Sequence, residues 1–225
     1  MSVRLAATYA AAAFLVLAAT ARLAIADETP TFKGPQSAAE TSFVRSIQAE
    51  LSKRFPTAAD AEKAGYVRYT GEDDTGAISY ANMHWASTDA RHPSQLWYDV
   101  NGKLLGADFS VLKSHTSGRP KVWGINPGRW YEFDGHMHWI HKDPKTGMLH
   151  YDLWMPEGKF VAAGGNPLHP SAATLVKMGK VKSAGDIVTI FEFPSLYDLI
   201  VWVKPNPKGA FAEKNPLVHP TKTAG

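Results

Sequence analysis

The stretch Gln95-Leu96-Trp97-Tyr98-Asp99-Val100-Asn101-Gly102 opens the part of the chain that decides the fold. Aromatic and β-branched residues precede the Asn-Gly pair, and a further apolar run extends from Lys103 to Val111. Such runs on both sides of a short polar pair are typical of two antiparallel strands. Because Asn-Gly readily takes the positive φ angles of a type I′ turn, the sequence predicts a tight β-hairpin here.

The same alternation of apolar runs and turn residues continues outward from this hairpin, beginning at Tyr66. A second hairpin is expected further along the chain, closed by a loop that contains Pro144 and Gly147. The remaining predicted strands are His136–His141 and Met148–Met155, which form that hairpin, then Ile187–Phe193 and Tyr197–Val203. Long loops are expected over 114–128 and 158–170.

Helical signals are concentrated before Tyr66. Residues 37–55 place Phe43, Val44, Ile47 and Leu51 at helical spacing, which predicts an amphipathic helix with one face to bury. Thr57 and Asp60 form a capping pair for a short second helix that ends at Gly65. The fold class is therefore α+β, a mainly antiparallel sheet arranged as a sandwich or open barrel with N-terminal amphipathic helices.

The first 26 residues have the features of a secretory signal peptide. Arg4 precedes an uncharged apolar run to Ala21, and small residues lead to Ala26, so we expect cleavage between Ala26 and Asp27. An uncleaved anchor helix is the alternative interpretation. The expected organisation is a leader at 27–36, one domain at 37–204 (helical over 37–65, β-rich over 66–204) and an extended tail at 205–225. The mature protein would be periplasmic or secreted, without a membrane span.

Charge and cysteine content exclude several classes of function. The chain has 24 Lys+Arg and 21 Asp+Glu, a net charge of +3, and the predicted signal peptide holds two Arg and no acid. The remainder is therefore close to neutral (22 basic against 21 acidic residues), which removes the electrostatic argument for nucleic-acid binding. The absence of cysteine excludes disulfides, thiolate metal sites and a Cys nucleophile.

Histidine carries the most specific chemical signal. His136 and His138 lie two residues apart on a predicted strand, so their side chains share one face and could reach one metal ion. Imidazole and carboxylate ligands without thiolate suit Zn, Cu, Fe, Ni or Mn. The candidate metal ligands are His136, His138, His84, His150, Asp152 and His141, and the aromatic residues beside them, Trp139, Tyr151 and Trp85, are the expected contacts to a small ligand.

The register of the second hairpin decides which ligands could join this pair, and the sequence leaves two registers open. With Lys142 opposite Met148, His138 would face Asp152, and His150 would lie on the same face, giving three imidazoles and a carboxylate. With Asp143 opposite Met148, His141 and His150 would become the cross-strand pair and Asp152 would join them. The His136/His138 pair would then face Tyr151 and Leu153.

A weak internal repeat brings His84 into the set. Met83-His84-Trp85 and Met137-His138-Trp139 each precede a Tyr-Asp strand, which is compatible with a duplicated hairpin that places His84 and His138 in equivalent positions. Chance similarity among aromatic-rich strands is the alternative.

Motifs for nucleotide binding, serine hydrolysis and zinc-protease chemistry are absent from the sequence, which favours binding over catalysis. The expected function is the binding of a metal ion or small ligand through the His-rich hairpin. One alternative is a metal-dependent hydrolase or oxygenase-type enzyme with Asp152 or Glu132 as a base. Another is a non-catalytic structural or interaction protein of the cell envelope.

The C-terminal stretch Tyr197-Asp198-Leu199-Ile200-Val201-Trp202, followed by Asn206-Pro207-Lys208-Gly209-Ala210-Phe211 and Asn215-Pro216, resembles the ending of a family of uncharacterised secreted bacterial proteins. Ala64-Gly65-Tyr66 and Tyr80-Ala81-Asn82 are similar to earlier segments of that family. The resemblance implies export but no established activity. Where the family tends to have histidine, this chain has Ser79, Leu196 and Ile200, so no site residue is carried over.

Overall fold

Two antiparallel sheets form the framework of the protein. The structure, a computed structural model, describes residues 26–28, 30–87 and 89–221. Seven strands form the larger sheet in the order β1-β6-β10-β5-β4-β3-β2, and three form the smaller sheet in the order β8-β7-β9. The strands are β1 (Ala26–Glu28), β2 (Val67–Arg68), β3 (Ile78–Ala81), β4 (Gln95–Tyr98), β5 (Leu104–Leu112), β6 (Tyr131–Phe133), β7 (His136–Lys142), β8 (Leu149–Pro156), β9 (Ile187–Phe193) and β10 (Leu196–Trp202).

The first predicted hairpin forms, but its turn differs from the predicted type. Gly102 has a φ of 73° and its N–H donates to the Asp99 carbonyl at 2.9 Å, whereas Asn101 does not adopt a positive φ. This is a type I turn followed by a left-handed glycine rather than type I′. The cause is the Asp99 carboxylate, which accepts the N–H groups of Asn101 and Lys103 at 2.9 Å each and holds Asn101 in ordinary turn geometry.

Both predicted N-terminal helices form, and each begins with a capping box. α1 (Ala38–Arg54) starts after Ser37, whose hydroxyl accepts the Glu40 N–H while the Glu40 carboxylate accepts the Ser37 N–H. α2 (Ala58–Lys63) has the same reciprocal arrangement between Thr57 and Asp60. The apolar face of α1 packs on one face of the large sheet, where Leu51, Tyr98 and Leu199 are fully buried.

Helix is not confined to the N-terminal region, which corrects the prediction of a loop over 158–170. α3 (Glu157–Ala162) begins just before that stretch and covers its first residues, and α4 (Ala172–Lys177) follows it. Phe160 and Leu175 are fully buried in a core with Met137 and Trp139 of the small sheet. Tertiary burial therefore decides the conformation of these short helices against their weak local preference.

The arrangement has four layers: helix α1, the large sheet, the small sheet, and helices α3 and α4. Between the sheets, Leu196 of the large sheet and Phe193 of the small sheet belong to one buried cluster. Both sheets are open, with β1 and β2 at the edges of one and β8 and β9 at the edges of the other. The predicted α+β class, mainly antiparallel and β-rich, is confirmed, and of its two variants the sandwich is observed rather than a barrel.

The C-terminal residues as far as 221 lie against the domain. The Trp202 indole donates to the Ala212 carbonyl at 2.6 Å, and the buried Asn215 amide donates to the Pro205 carbonyl at 3.0 Å. Of the predicted signal peptide, residues 1–25 fall outside the described residues, and Ala26 begins the short strand β1, which pairs with β6. None of the helices from residue 26 onward is long and apolar enough to cross a bilayer.

Candidate functional site

His136 and His138 lie side by side on β7, on the face of the small sheet that is turned toward the large sheet. Their ring centroids are 4.9 Å apart, and both residues are buried. Each ring stacks on a phenylalanine of the adjacent strand β9, His136 on Phe193 at 5.0 Å and His138 on Phe191 at 5.6 Å. The predicted juxtaposition of the two imidazoles on one strand face is therefore confirmed.

The hairpin adopts the second of the two registers. The Asp143 N–H donates to the Met148 carbonyl at 2.8 Å, and His141 lies opposite His150, with ring centroids 5.6 Å apart. The set of three imidazoles and a carboxylate that required the other register does not form.

A β-bulge then changes the pairing further along the hairpin. Trp139 lies opposite Leu153, so His138 faces Trp154 rather than the residue that a regular ladder would give it. Asp152 is a backbone member of β8 near this bulge, and its side chain lies outside the described part of the structure. The bulge separates the inward pair of histidines, His136 and His138, from the outer pair at the hairpin tip.

His84 does not join the pair, so the duplicated-hairpin interpretation is wrong. Met83–Trp85 is a 3-10 turn capped by Asn82, whereas Met137–Trp139 is part of a strand. The His84 ring lies 4.7 Å from Trp85, and Trp85 packs on the core beneath α1, on the other face of the large sheet.

The other residues expected near a ligand are also dispersed. Trp139 alternates with the two histidines along β7 and is buried against α3 and α4. The Tyr151 ring lies 4.3 Å beneath the Arg68 guanidinium. Glu132, considered as a base, forms an ion pair with Lys113 at 2.9 Å. Across the described residues, no group of three or more His, Asp or Glu side chains lies close enough to hold a metal ion.

Electrostatics keep both imidazoles of the inward pair neutral. Burial lowers the pKa of His136, and burial together with the adjacent His136 ring lowers the pKa of His138 to about 3. His136 Nδ1 is 2.8 Å from the Asp134 carbonyl, which requires the proton on Nδ1 and leaves Nε2 as a lone pair. His138 Nδ1 is buried and has no hydrogen-bond partner among the described residues.

A network of buried polar side chains lies behind the pair, and sequence reasoning missed most of it. Tyr69 packs edge-on against His138, with ring centroids 5.0 Å apart, and its hydroxyl donates to Gln95 Oε1. The Gln95 amide donates to Asp198 Oδ2 at 3.1 Å, and the Ser110 hydroxyl donates to Asp198 Oδ1. A continuous chain of contacts thus leads from His138 to a buried carboxyl group.

Asp108 is the second buried carboxyl group on this face. Its Oδ2 accepts the Trp97 indole N–H at 3.0 Å, while its Oδ1 has no partner in the described part of the chain. Burial raises the pKa of Asp108, and the nearby Asp198 raises it further. The available signal in the sequence was the alternation of Asp108 and Ser110 inside the otherwise apolar strand β5, which places two polar side chains on one sheet face.

Comparison with protein-family models, with curated proteins and with solved structures finds no match to this chain. The chemistry of the residues themselves therefore has to indicate the function.

Proposed function

We propose that this is an exported protein that binds one transition-metal ion through His136 and His138, with copper as the first choice and zinc as the second. The observation that carries the proposal is the pair of adjacent neutral imidazoles, one of which has an unpartnered buried nitrogen. The features of the N-terminal segment, and the resemblance of the C-terminal motif to secreted proteins, support export.

The state of the two rings is the one that a metal ligand requires. A ligating imidazole must be neutral, and its other ring nitrogen is usually held by a backbone carbonyl or carboxylate. Asp134 supplies that carbonyl to His136, and burial disfavours the protonated form of both rings. Metal–nitrogen bonds of about 2.0–2.1 Å are compatible with one ion between rings at this separation.

The ligand set explains the order of metals. Two imidazoles without a carboxylate or thiolate favour copper and zinc over the oxygen-preferring ions. Reduced copper accepts two nitrogen ligands, whereas zinc would need further ligands from water or from a small molecule.

The test is metal retention by protein purified without a histidine tag. Samples are loaded with Cu(I) under reducing conditions or with Zn(II), freed of excess metal by gel filtration and measured by elemental analysis. We expect about one metal ion per chain, and its loss in His136→Phe and His138→Phe. Phenylalanine is chosen because each ring already stacks on a phenylalanine, so packing is preserved.

His141→Phe is the matched control. His141 lies on the same strand as His136 and His138 but stacks on His150 at the hairpin tip. This variant should retain metal as the wild-type protein does. Equal metal content in His138→Phe and wild type, or less than about a tenth of an equivalent in wild type after loading with either metal, would refute the proposal. Circular dichroism and melting temperature verify that each variant is folded.

A further inference from the structure

A cavity of 490 Å³ lies between the leader, strand β6 and the C-terminal tail. Its volume falls within the range of about 300–1,000 Å³ that is usual for small-molecule sites. Its wall includes Phe32 and Gly34 of the leader, Arg129 just before strand β6, Tyr131 in β6, and Phe211 and Glu213 of the C-terminal tail. It is separate from the histidine pair and from the proposed metal.

Arg129 forms the rigid base of this cavity. The residue is 6% exposed, and its guanidinium donates through Nε and Nη2 to the Glu40 carboxylate at 3.1 and 3.2 Å. The Phe32 and Phe211 rings lie 4.5 and 5.0 Å from the guanidinium carbon. Glu40 of α1 is itself buried by this ion pair. A guanidinium held on three sides keeps a fixed orientation, which is the condition for directional recognition.

Two polar groups of the cavity retain unused hydrogen-bonding capacity. Arg129 Nη1 makes no hydrogen bond to the described residues, since the Pro35 carbonyl and the Glu40 carboxylate take only Nε and Nη2. The Tyr131 hydroxyl, on a residue that is 7% exposed, makes no hydrogen bond to them either. Burial raises the pKa of Tyr131 well above its usual value, with the nearby Glu213 carboxylate as the next cause, so the hydroxyl stays protonated and can donate.

The charges around the cavity favour an anion. Lys33 and Lys208 lie at its rim, Arg129 is balanced by Glu40, and Glu213 supplies the one negative charge among its lining residues. We infer that the cavity binds a small organic carboxylate with an apolar body, the carboxylate accepting from Arg129 Nη1 and Tyr131 Oη, and the apolar part lying against the Phe32 and Phe211 rings. Carboxylates match the planar donors of arginine, and the two rings provide the apolar walls.

Calorimetric titration of the full chain with benzoate, phenylacetate and indole-3-acetate tests this inference, with benzamide as the uncharged probe. We expect at least one carboxylate to bind and benzamide to bind at least tenfold more weakly. Tyr131→Phe should weaken carboxylate binding about tenfold, the loss of one hydrogen bond to a charged group. Glu213→Gln should strengthen it, because the opposing charge is removed.

Tyr80→Phe is the control for the tyrosine variant, since Tyr80 is equally buried in the large sheet and does not line the cavity. It should leave the dissociation constant unchanged. Arg129→Lys would remove the planar guanidinium donor. If Arg129→Lys fails to fold, Tyr131→Phe provides the test of the inference. The inference is overturned if no carboxylate of the panel binds, if benzamide binds as well as benzoate, or if Tyr131→Phe and Glu213→Gln bind like wild type. These outcomes leave metal retention by the histidine pair unaffected.

Discussion

The least usual residues of the molecule are the two carboxyl groups buried between its sheets. Asp198 accepts hydrogen bonds from Ser110 and Gln95, yet burial still raises its pKa to about 7. Asp108 has one partnered oxygen and one orphaned oxygen, and burial together with the nearby Asp198 raises its pKa well above the usual range. Because burial makes the charged form of a carboxyl group costly, the folded protein disfavours the ionisation of both groups.

This preference makes stability depend on pH in a defined direction. A carboxyl group whose pKa is raised on folding costs stability once the unfolded chain has lost its proton, from about pH 4 upward. Asp108→Asn removes one such group, so the variant should gain stability over wild type as pH rises. The gain should be about 1.4 kcal/mol for each pH unit over which Asp108 is ionised only in the unfolded chain. Urea unfolding between pH 4.5 and 8.5 measures it.

His136 and His138 have the opposite effect, because their lowered pKa values make the folded protein less stable as pH falls below about 6.5. This contribution is the same in the variant and in the wild type, so it cancels in the difference between them. Asp186→Asn, at a partly exposed position before β9, is the control for removing a carboxyl group that is not buried. A difference for Asp108→Asn that does not change with pH would mean that Asp108 ionises in the folded protein as it does in the unfolded chain.

At the scale of elements, the turn of the first hairpin should limit the stability of the sheet to which it belongs. Gly102 has a φ of 73°, and its carbonyl accepts the Ala58 N–H at 2.9 Å, which ties the turn to the start of α2. A Cβ at this position would meet only Ala58 at 3.6 Å, an ordinary contact, so the cost of Gly102→Ala is conformational. We expect a loss of about 1 kcal/mol in the free energy of unfolding, measured in urea.

Gly118→Ala is the matched substitution, because a Cβ there meets nothing within 4 Å and the glycine does not have a positive φ. It should leave stability unchanged or raise it slightly. Equal effects of the two substitutions would show that the left-handed geometry at Gly102 is not maintained in solution.

Local chemistry explains which elements the sequence could predict. The sequence predicted, almost to the residue, the helix that follows Ser37, the cap at Thr57 and the strands β7, β9 and β10, because these features depend on neighbouring residues. The bulge in the second hairpin and helix α3 depend instead on contacts distant in sequence, such as the burial of Phe160. Of the candidate site, the His136–His138 pair follows from strand periodicity alone. The network through Gln95 and Asp198 forms because β4, β5 and β10 are neighbours in the large sheet. Sequence periodicity does not predict which strands are neighbours.

At the scale of the whole molecule, the two sheets are supported by cores of unequal size. Within the part of the chain that the structure describes, twenty-one buried residues form the core between α1 and the large sheet, whereas six form the core between the small sheet and helices α3 and α4. A smaller cluster that includes Phe193 and Leu196 joins the sheets. Because local opening follows the amount of buried apolar contact, the small sheet with its helices should open at a lower free energy than the large sheet.

Native-state hydrogen exchange on Leu175→Ala tests this division. Leu175 is fully buried in the smaller core, and its truncation costs about 2–5 kcal/mol. We expect protection to fall for the amides of β7 to β9, α3 and α4, and to persist in β5 and β10. Leu51→Ala, in the larger core, should instead reduce protection in the large sheet. If Leu175→Ala reduces protection uniformly, the sheets unfold together, and the inter-sheet layer that contains His136, His138 and the buried carboxyl groups is then as stable as the molecule itself.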